Sequence, residues 1–188
     1  MKVALTGGIA CGKSLLSNFL RELGVETIDA DDVVHELIPD PAERRRIAAE
    51  VFADPEKRRA LEAKIHPLVK ERIDRWFEGL GVRGQESGVR SRARVKIAII
   101  PLLFEAHWEK NFDIICCVVS SREKQIERMM TTRGMTLAEA EARLAAQMPV
   151  EEKARRSQYV IHNDGTAEDL RAEAQKLVDT LCASASLR

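Results

Sequence analysis

At 188 residues, with 45% hydrophobic and 32% charged side chains, the chain is long enough for one substantial core and has the composition of a folded globular protein. Thirty basic residues balance thirty acidic ones, so no net field draws nucleic acid or an anionic membrane, and any anion recognition has to be local. No window approaches the run of about 18 apolar residues needed to span a bilayer, and the N-terminus lacks the apolar stretch of a secretory signal. The four cysteines, Cys11, Cys116, Cys117 and Cys182, form no CxxC pair and no metal-ligand spacing, which reads as reduced thiols in a cytoplasmic protein.

The first apolar run, Val3–Thr6, leads directly into Gly7-Gly8-Ile9-Ala10-Cys11-Gly12-Lys13-Ser14, which fits G-x-x-x-x-G-K-[ST] between a predicted strand and a predicted helix. Glycines there admit positive φ and bring backbone N–H groups to phosphate oxygens, while the helix start adds unpaired donors and partial positive charge. Gly8, Ala10, Cys11, Gly12, Lys13, Ser14 and Leu15 are the expected ATP-binding residues. Lys13 would reach the β- and γ-phosphates, and Ser14 would give its hydroxyl to Mg2+. Leu15, Leu16, Phe19, Leu20 and Leu23 recur at helical spacing and predict one buried helix face.

A second run, Val25–Asp29, ends in Asp29-Ala30-Asp31-Asp32. At the carboxyl end of a strand in an open parallel sheet, an aspartate can accept the proton of an attacking hydroxyl or hold it in line. The alternative is that one of these acids caps the following helix. Asp40-Pro41 and Asp54-Pro55 each place an N-cap acid before a proline at the first helical position. His66-Pro67 reads equally as a helix start. Gly79–Arg94, rich in Gly, Ser and Arg, reads as a mobile basic loop whose arginines are solvated or face a phosphate-bearing substrate.

Three more runs, Val95–Pro101, Ile114–Val119 and Tyr159–His162, complete a set of near-continuous apolar segments, the pattern of strands covered on both faces. Helical stretches between them predict an α/β fold of the P-loop NTPase type, a five-stranded parallel sheet flanked by helices in three layers. Ser120 with Glu123 and Thr136 with Glu139 read as capping boxes, and Thr166 with Asp169 as a weaker relative. Thr131–Ala145 presents Arg133 and Arg143 around a capped turn and helix, where they stabilise a transferring phosphoryl group or lie on a solvated face. There is no Asn-Lys-x-Asp guanine signature, and the carboxylates after the second strand favour a kinase acting on a small hydroxyl acceptor. A nucleoside or other small-molecule P-loop kinase and a non-catalytic nucleotide switch are the alternatives.

Thr6–Ser14, Asp29-Ala30-Asp31, Leu61–Val69 with His66-Pro67, Pro101–Glu105 (PLLFE), Arg143–Pro149 (RLAAQMP) and Ile161–Gly165 (IHNDG) stand in the order found in dephospho-CoA kinases. The chain resembles that family over nearly its whole length. The resemblance implies transfer of the ATP γ-phosphoryl group to the 3′-hydroxyl of dephospho-CoA, the last step of coenzyme A synthesis, without a nucleic-acid or membrane partner. It implies one domain, acting as a monomer or weak homo-oligomer: a core of residues 1–31, 95–130 and 157–188, a helical acceptor-binding part at about 32–94 and a lid at about 131–156. By the same resemblance Asp31 is the base, and His66, Leu102 and Glu105 lie near the acceptor. Arg128, Arg133 and Arg143 fall in the lid region, and Asn163 lies close to the ATP adenine.

Four departures from the family pattern bear on these expectations. The stretch from Leu37 to Phe52 is short by roughly a helix and a loop. His35 stands where the family commonly has an arginine against the acceptor. Ile97-Ala98-Ile99-Ile100 lacks the acid often found before Pro-Leu-Leu, which leaves Mg2+ to Ser14, Asp31 and water. The lid arginine expected near Thr132 is Arg133.

Overall fold

The structure, a computed structural model, describes residues 1–79 and 95–186; apart from Gly79, the basic loop read at Gly79–Arg94 lies outside them. β1 (Lys2–Gly7), β2 (Glu26–Asp29), β3 (Lys96–Ile99), β4 (Ile114–Val119) and β5 (Tyr159–His162) form one sheet in the order β2-β3-β1-β4-β5. β1 pairs in parallel with both β3 and β4, and β4 with β5. This is the expected five-stranded parallel sheet flanked by helices. Burial on both faces holds for β1, β3 and β4, whose residues are all buried apart from half-buried Lys2. It fails for β2 and β5, which are partly exposed because they are the edges of the sheet and have a neighbour on one side only.

The chain forms two compact units, one of Met1–Thr27 with Gly84–Arg188 and one of Ile28–Arg83. In the first, α1 (Lys13–Glu22) packs on α8 (Ala167–Ser186), with Leu16, Phe19 and Leu20 buried in one cluster with Leu170, Ala174, Leu177, Val178 and Leu181. Each such Leu, Val or Phe contributes roughly 1.5–3 kcal/mol when fully buried. Leu15 is not part of that face: it is 38% exposed, and Ser17 is buried instead. One residue turns a helix by about 100°, so the stripe runs through 16, 19, 20 and 23, and Leu15 lies at its margin. The second unit consists of α2 (Ala30–Leu37), α3 (Pro41–Ala53) and α4 (Pro55–Glu78), with α2 and α3 packed on α4 and Val33, Val69, Ile73 and Phe77 buried.

Local capping explains most helix starts. Asp40 and Asp54 accept N–H bonds at the starts of α3 and α4 as their Asp-Pro pairs predict. Thr136 and Glu139 form the full box at α6 (Leu137–Ala145), and Thr166 and Asp169 exchange the same two bonds before α8. α5 (Arg122–Arg133) is capped by Ser121 rather than Ser120, which is buried and donates to the Asn163 carbonyl at 2.7 Å. Pro67 does not start a helix; it lies inside the 24-residue α4, where it removes one backbone hydrogen bond that the flanking turns and packing outweigh. No described helix is long and apolar enough to cross a membrane. All four cysteines are free, and burial pushes the Cys116 and Cys117 thiols up to about 12.

Candidate active site

β1 ends at Gly7, which pairs with Val118 so closely that a Cβ would stand 2.3 Å from the Val118 carbonyl oxygen. The chain then turns and enters α1 through Gly12, in the left-handed region at φ 91°. A Cβ on Gly12 would meet the Asn163 amide nitrogen at 2.1 Å, so both conformation and neighbour demand glycine. α1 therefore starts on a residue without a capping side chain, and its first turn carries no acid. Every other described α-helix has a side-chain cap, a first-turn acid or both. The N–H groups and the positive end of α1 are left for an external anion.

Lys13 donates its ammonium to the carbonyls of Gly7 at 3.1 Å and Gly8 at 2.8 Å. An ammonium has three donors, so it can keep one of these bonds and turn another to a phosphate oxygen. Ser14 is exposed in the first turn of α1. The Cys11 thiol is buried and pushed up by burial, against the pull of the Lys13 charge, which keeps it neutral beside the loop.

The loop's outward carbonyls are held from behind. Gln125 Nε2 donates to the Ile9 carbonyl at 2.7 Å, and Arg128 Nη1 to that of Ala10 at 3.2 Å. Asn163 Nδ2 donates to the Cys11 carbonyl at 2.8 Å, while its own carbonyl accepts from Arg128 Nη2 at 2.8 Å and from Ser120. Arg128 Nη1 also reaches Ser120 Oγ at 2.9 Å. α5 and the ends of β4 and β5 thus fix successive peptide groups of the loop, which leaves the N–H groups oriented before any ligand arrives. Beside the loop lies a cavity of ≈ 340 Å3 lined by Gly8, Ile9, Gln125, Leu144, Met148 and Val150, among others.

After β3, which neighbours β1, the chain runs through turns over Pro101–Glu105 rather than continuing as a strand. Leu102 is 39% exposed. Glu105 Oε1 pairs with Lys153 Nζ at 2.8 Å and accepts the Met148 N–H at 3.1 Å.

The dephospho-CoA kinase family model matches residues 1–43 and 41–169. The chain belongs to the dephospho-CoA kinase family. It is 36% identical over 196 residues to the dephospho-CoA kinase of Geobacter sulfurreducens, an alignment covering 93% of this chain and 95% of that one. A Thermus thermophilus crystal structure aligns with a TM-score of 0.73 at 31% identity, over 95% of this chain and 97% of that one. The dephospho-CoA kinase of Campylobacter jejuni shares the fold, with a TM-score of 0.70 at 24% identity over 98% and 99% of the two chains. Membership makes this chain an ATP-dependent phosphotransferase with a hydroxyl acceptor. The two matched segments meet at residues 41–43, inside the stretch Leu37–Phe52 that departs from the family pattern.

The structure brings Ala10, Cys11, Gly12, Lys13, Arg128 and Asn163 into one network. Arg133 and Arg143 stand on exposed faces of α5 and α6. Asp31 and His35 are exposed on α2, and His66 is half-buried on α4, all three in the helical unit. Asp29 is the cap of α2, accepting the Asp31 N–H at 2.9 Å. Gln125, Ser120 and Lys153 were not legible as site residues. Gln125 had a signal, since it stands one helical turn before Arg128 and Met129. Lys153, flanked by Glu151, Glu152 and Arg155, reads as surface charge.

Proposed function

We propose that the chain transfers the γ-phosphoryl group of Mg-ATP to the 3′-hydroxyl of dephospho-CoA, giving ADP and coenzyme A. The observation that carries this reading is the uncapped, acid-free start of α1 behind the Gly7–Ser14 loop, in a member of a family whose relatives are named for that acceptor. The backbone N–H groups of residues 8–14 hold the β- and γ-phosphates, and Leu15 continues the same helical turn. Lys13 neutralises charge that builds on the terminal phosphoryl group as it transfers.

Ser14 Oγ is a hard oxygen donor of the kind Mg2+ takes together with waters and phosphate oxygens. Among the described residues no group of three His, Cys, Asp or Glu offers a protein cage, which suits a metal held mainly by its nucleotide. Ser14 would hold the ion there, and the ion would supply charge neutralisation at the nucleotide's phosphates. Asp31 takes the proton of the acceptor hydroxyl as its oxygen attacks phosphorus, and the O–P bond to ADP breaks. Asp29 is the cap of α2, so the Asp31 carboxylate is not needed as the cap, although with Asp32 it adds an acid to the first turn.

Residues of about 32–94 are the acceptor-binding part in this reading, and His35 and His66 are its acceptor contacts; in the core, Leu102 and Glu105 are read as acceptor contacts as well. Residues of about 131–156 are read as the lid, with Arg133 and Arg143 stabilising the transferring group and closure excluding water; its α7 (Val150–Arg155) end stays packed on the sheet. Arg128 and Asn163 brace the nucleotide-binding loop from behind, and in this reading Asn163 lies close to the adenine. Buried, neutral thiols on β4 agree with a cytoplasmic enzyme.

The test is a coupled ADP-release assay with Mg-ATP, comparing dephospho-CoA with nucleosides, nucleotides and no acceptor. ADP release that requires dephospho-CoA, with coenzyme A identified by mass, is the expected result. Release that requires a different acceptor overturns the substrate, and release indifferent to any acceptor overturns the transferase reading.

A further inference from the structure

Lys153 is 0% exposed, yet neither the phosphate loop nor the family motifs account for it. It lies on α7 (Val150–Arg155), which packs on β1 and β4. Its ammonium donates to the Pro101 carbonyl at 2.8 Å and pairs with Glu105 Oε1 at the same distance. The Pro101 carbonyl also accepts from Thr6 Oγ1, one residue before the phosphate loop begins. Glu105 Oε1 also accepts the N–H of Met148, in the connection between α6 and α7. One buried ammonium therefore ties together the end of β1, the Pro101–Glu105 loop and the base of the α6–α7 hairpin.

A second strut parallels it. Arg156 pairs with Glu109 at 2.7 Å, and its guanidinium lies 4.4 Å from the centre of the Phe104 ring. Stability alone is a poor reason for this arrangement. Burying an ion pair costs desolvation of both charges, and here Glu105 Oε2 is buried without a donor among the described residues. What the link supplies is register: α7 is held to the core, and α6, which packs on α5, joins it through the connection that contains Met148.

We propose that Lys153 is a positioning residue for phosphoryl transfer, acting through Glu105 to hold the Pro101–Glu105 loop and the Met148 end of the lid in one register. The inference rests on the reading that this loop meets the acceptor and that residues 131–156 close over the phosphates. Without the link, the two segments that must converge on the reacting hydroxyl shift independently.

The test compares the full chain with Lys153→Met, Glu105→Gln and the double variant, by thermal unfolding and by steady-state kinetics at temperatures where each is folded. Lys153→Met is expected to lower kcat/KM for the acceptor by about 10²-fold and to leave KM for ATP within about threefold, as loss of alignment without loss of nucleotide binding. It also raises acceptor-independent ADP release relative to transfer. Because Lys153 acts through Glu105, the double variant should be no less active than Glu105→Gln alone, while unfolding at a higher temperature than Lys153→Met. Two results overturn the proposal: folded Lys153→Met with kcat and acceptor KM within about twofold of wild type, or losses that multiply in the double variant. If Lys153→Met does not fold, the comparison of the double variant with Glu105→Gln decides alone. Wild-type ADP release that ignores dephospho-CoA defeats the functional reading instead, and the same variants then test Lys153 with whichever acceptor the chain uses.

Discussion

Behind the phosphate loop, Gln125, Asn163 and half-buried Arg128 turn onto backbone carbonyls; among the described residues of the helical unit, several charged side chains cap helix ends or pair at the surface. Gln125 and Asn163 are buried, and with Arg128 they hold Ile9, Ala10 and Cys11 in place. In the helical unit the aspartates Asp29, Asp40 and Asp54 cap their own helices, and pairs such as Arg72 with Glu36 at 3.3 Å are largely exposed. Exposed pairs contribute about 0–1 kcal/mol each and specify little. Stabilising a charged transition state requires dipoles fixed in advance, and that takes buried, satisfied networks. Helices that satisfy their own ends tolerate shortening and substitution. Two of the four departures from the family pattern, His35 and the stretch Leu37–Phe52, indeed fall in the helical unit.

The sharpest way to break this contrast is Lys13→Ala. Turnover should fall below detection while circular dichroism and the unfolding temperature stay close to wild type; activity within a few-fold of wild type would remove the loop from the mechanism. Asp31→Asn comes next, with kcat lowered by about 10²–10⁴, the usual worth of a positioned base. If only the acceptor KM moves, the helical unit binds the acceptor but supplies no base, and the contrast between the two regions grows sharper.

Gly12→Ala should cost about 1–3 kcal/mol of strain, since φ 91° is unfavourable for alanine and its Cβ meets the Asn163 amide. Isothermal titration with ATP should show the weakening, and adding Asn163→Ala should recover part of it; no recovery would mean the amide is not the obstacle. The smallest effect belongs to Asp54→Ala, which removes the cap of α4. The N–H groups of Lys57 and Glu56 hold the Asp54 carboxyl below the ordinary aspartate range. Its folded-state pKa is therefore lower than its unfolded one, so its contribution is complete above the unfolded value and disappears as pH falls through the folded one. A pH series of unfolding temperatures should show the variant slightly less stable at neutral pH and converging with wild type in acid, with kcat unchanged. A drop in kcat at neutral pH would show that the helical unit is less tolerant than its exposed polar groups suggest.

Much of this was legible because it is local. The apolar runs gave β4 and β5 their observed bounds, Asp-Pro pairs marked α3 and α4, and the glycine spacing with Lys13 and Ser14 marked the phosphate loop. Each rests on chemistry within a turn or strand of a few residues. The failures share another cause. Whether Ser120 or Ser121 caps α5 is decided by Asn163, 43 positions away, which draws Ser120 into the interior. His66-Pro67 looks like a helix start until packing against α2 and α3 carries α4 through the proline.

By itself, then, the sequence determined the strand and helix types, most caps, the anion-binding loop and the family, because periodicity, turn chemistry and motif spacing act over short stretches of chain. Only the tertiary structure decided which strands are edges, that Leu15 lies off the buried stripe, that Gln125 and Asn163 brace the loop, and that Lys153 is buried against Glu105. Those depend on contacts between residues roughly 40 to 150 positions apart, as with Lys153 and Pro101 at 52 and Asn163 and Cys11 at 152. Burial of a charged or polar side chain follows from what the fold places over it, and nothing in its immediate neighbours records that.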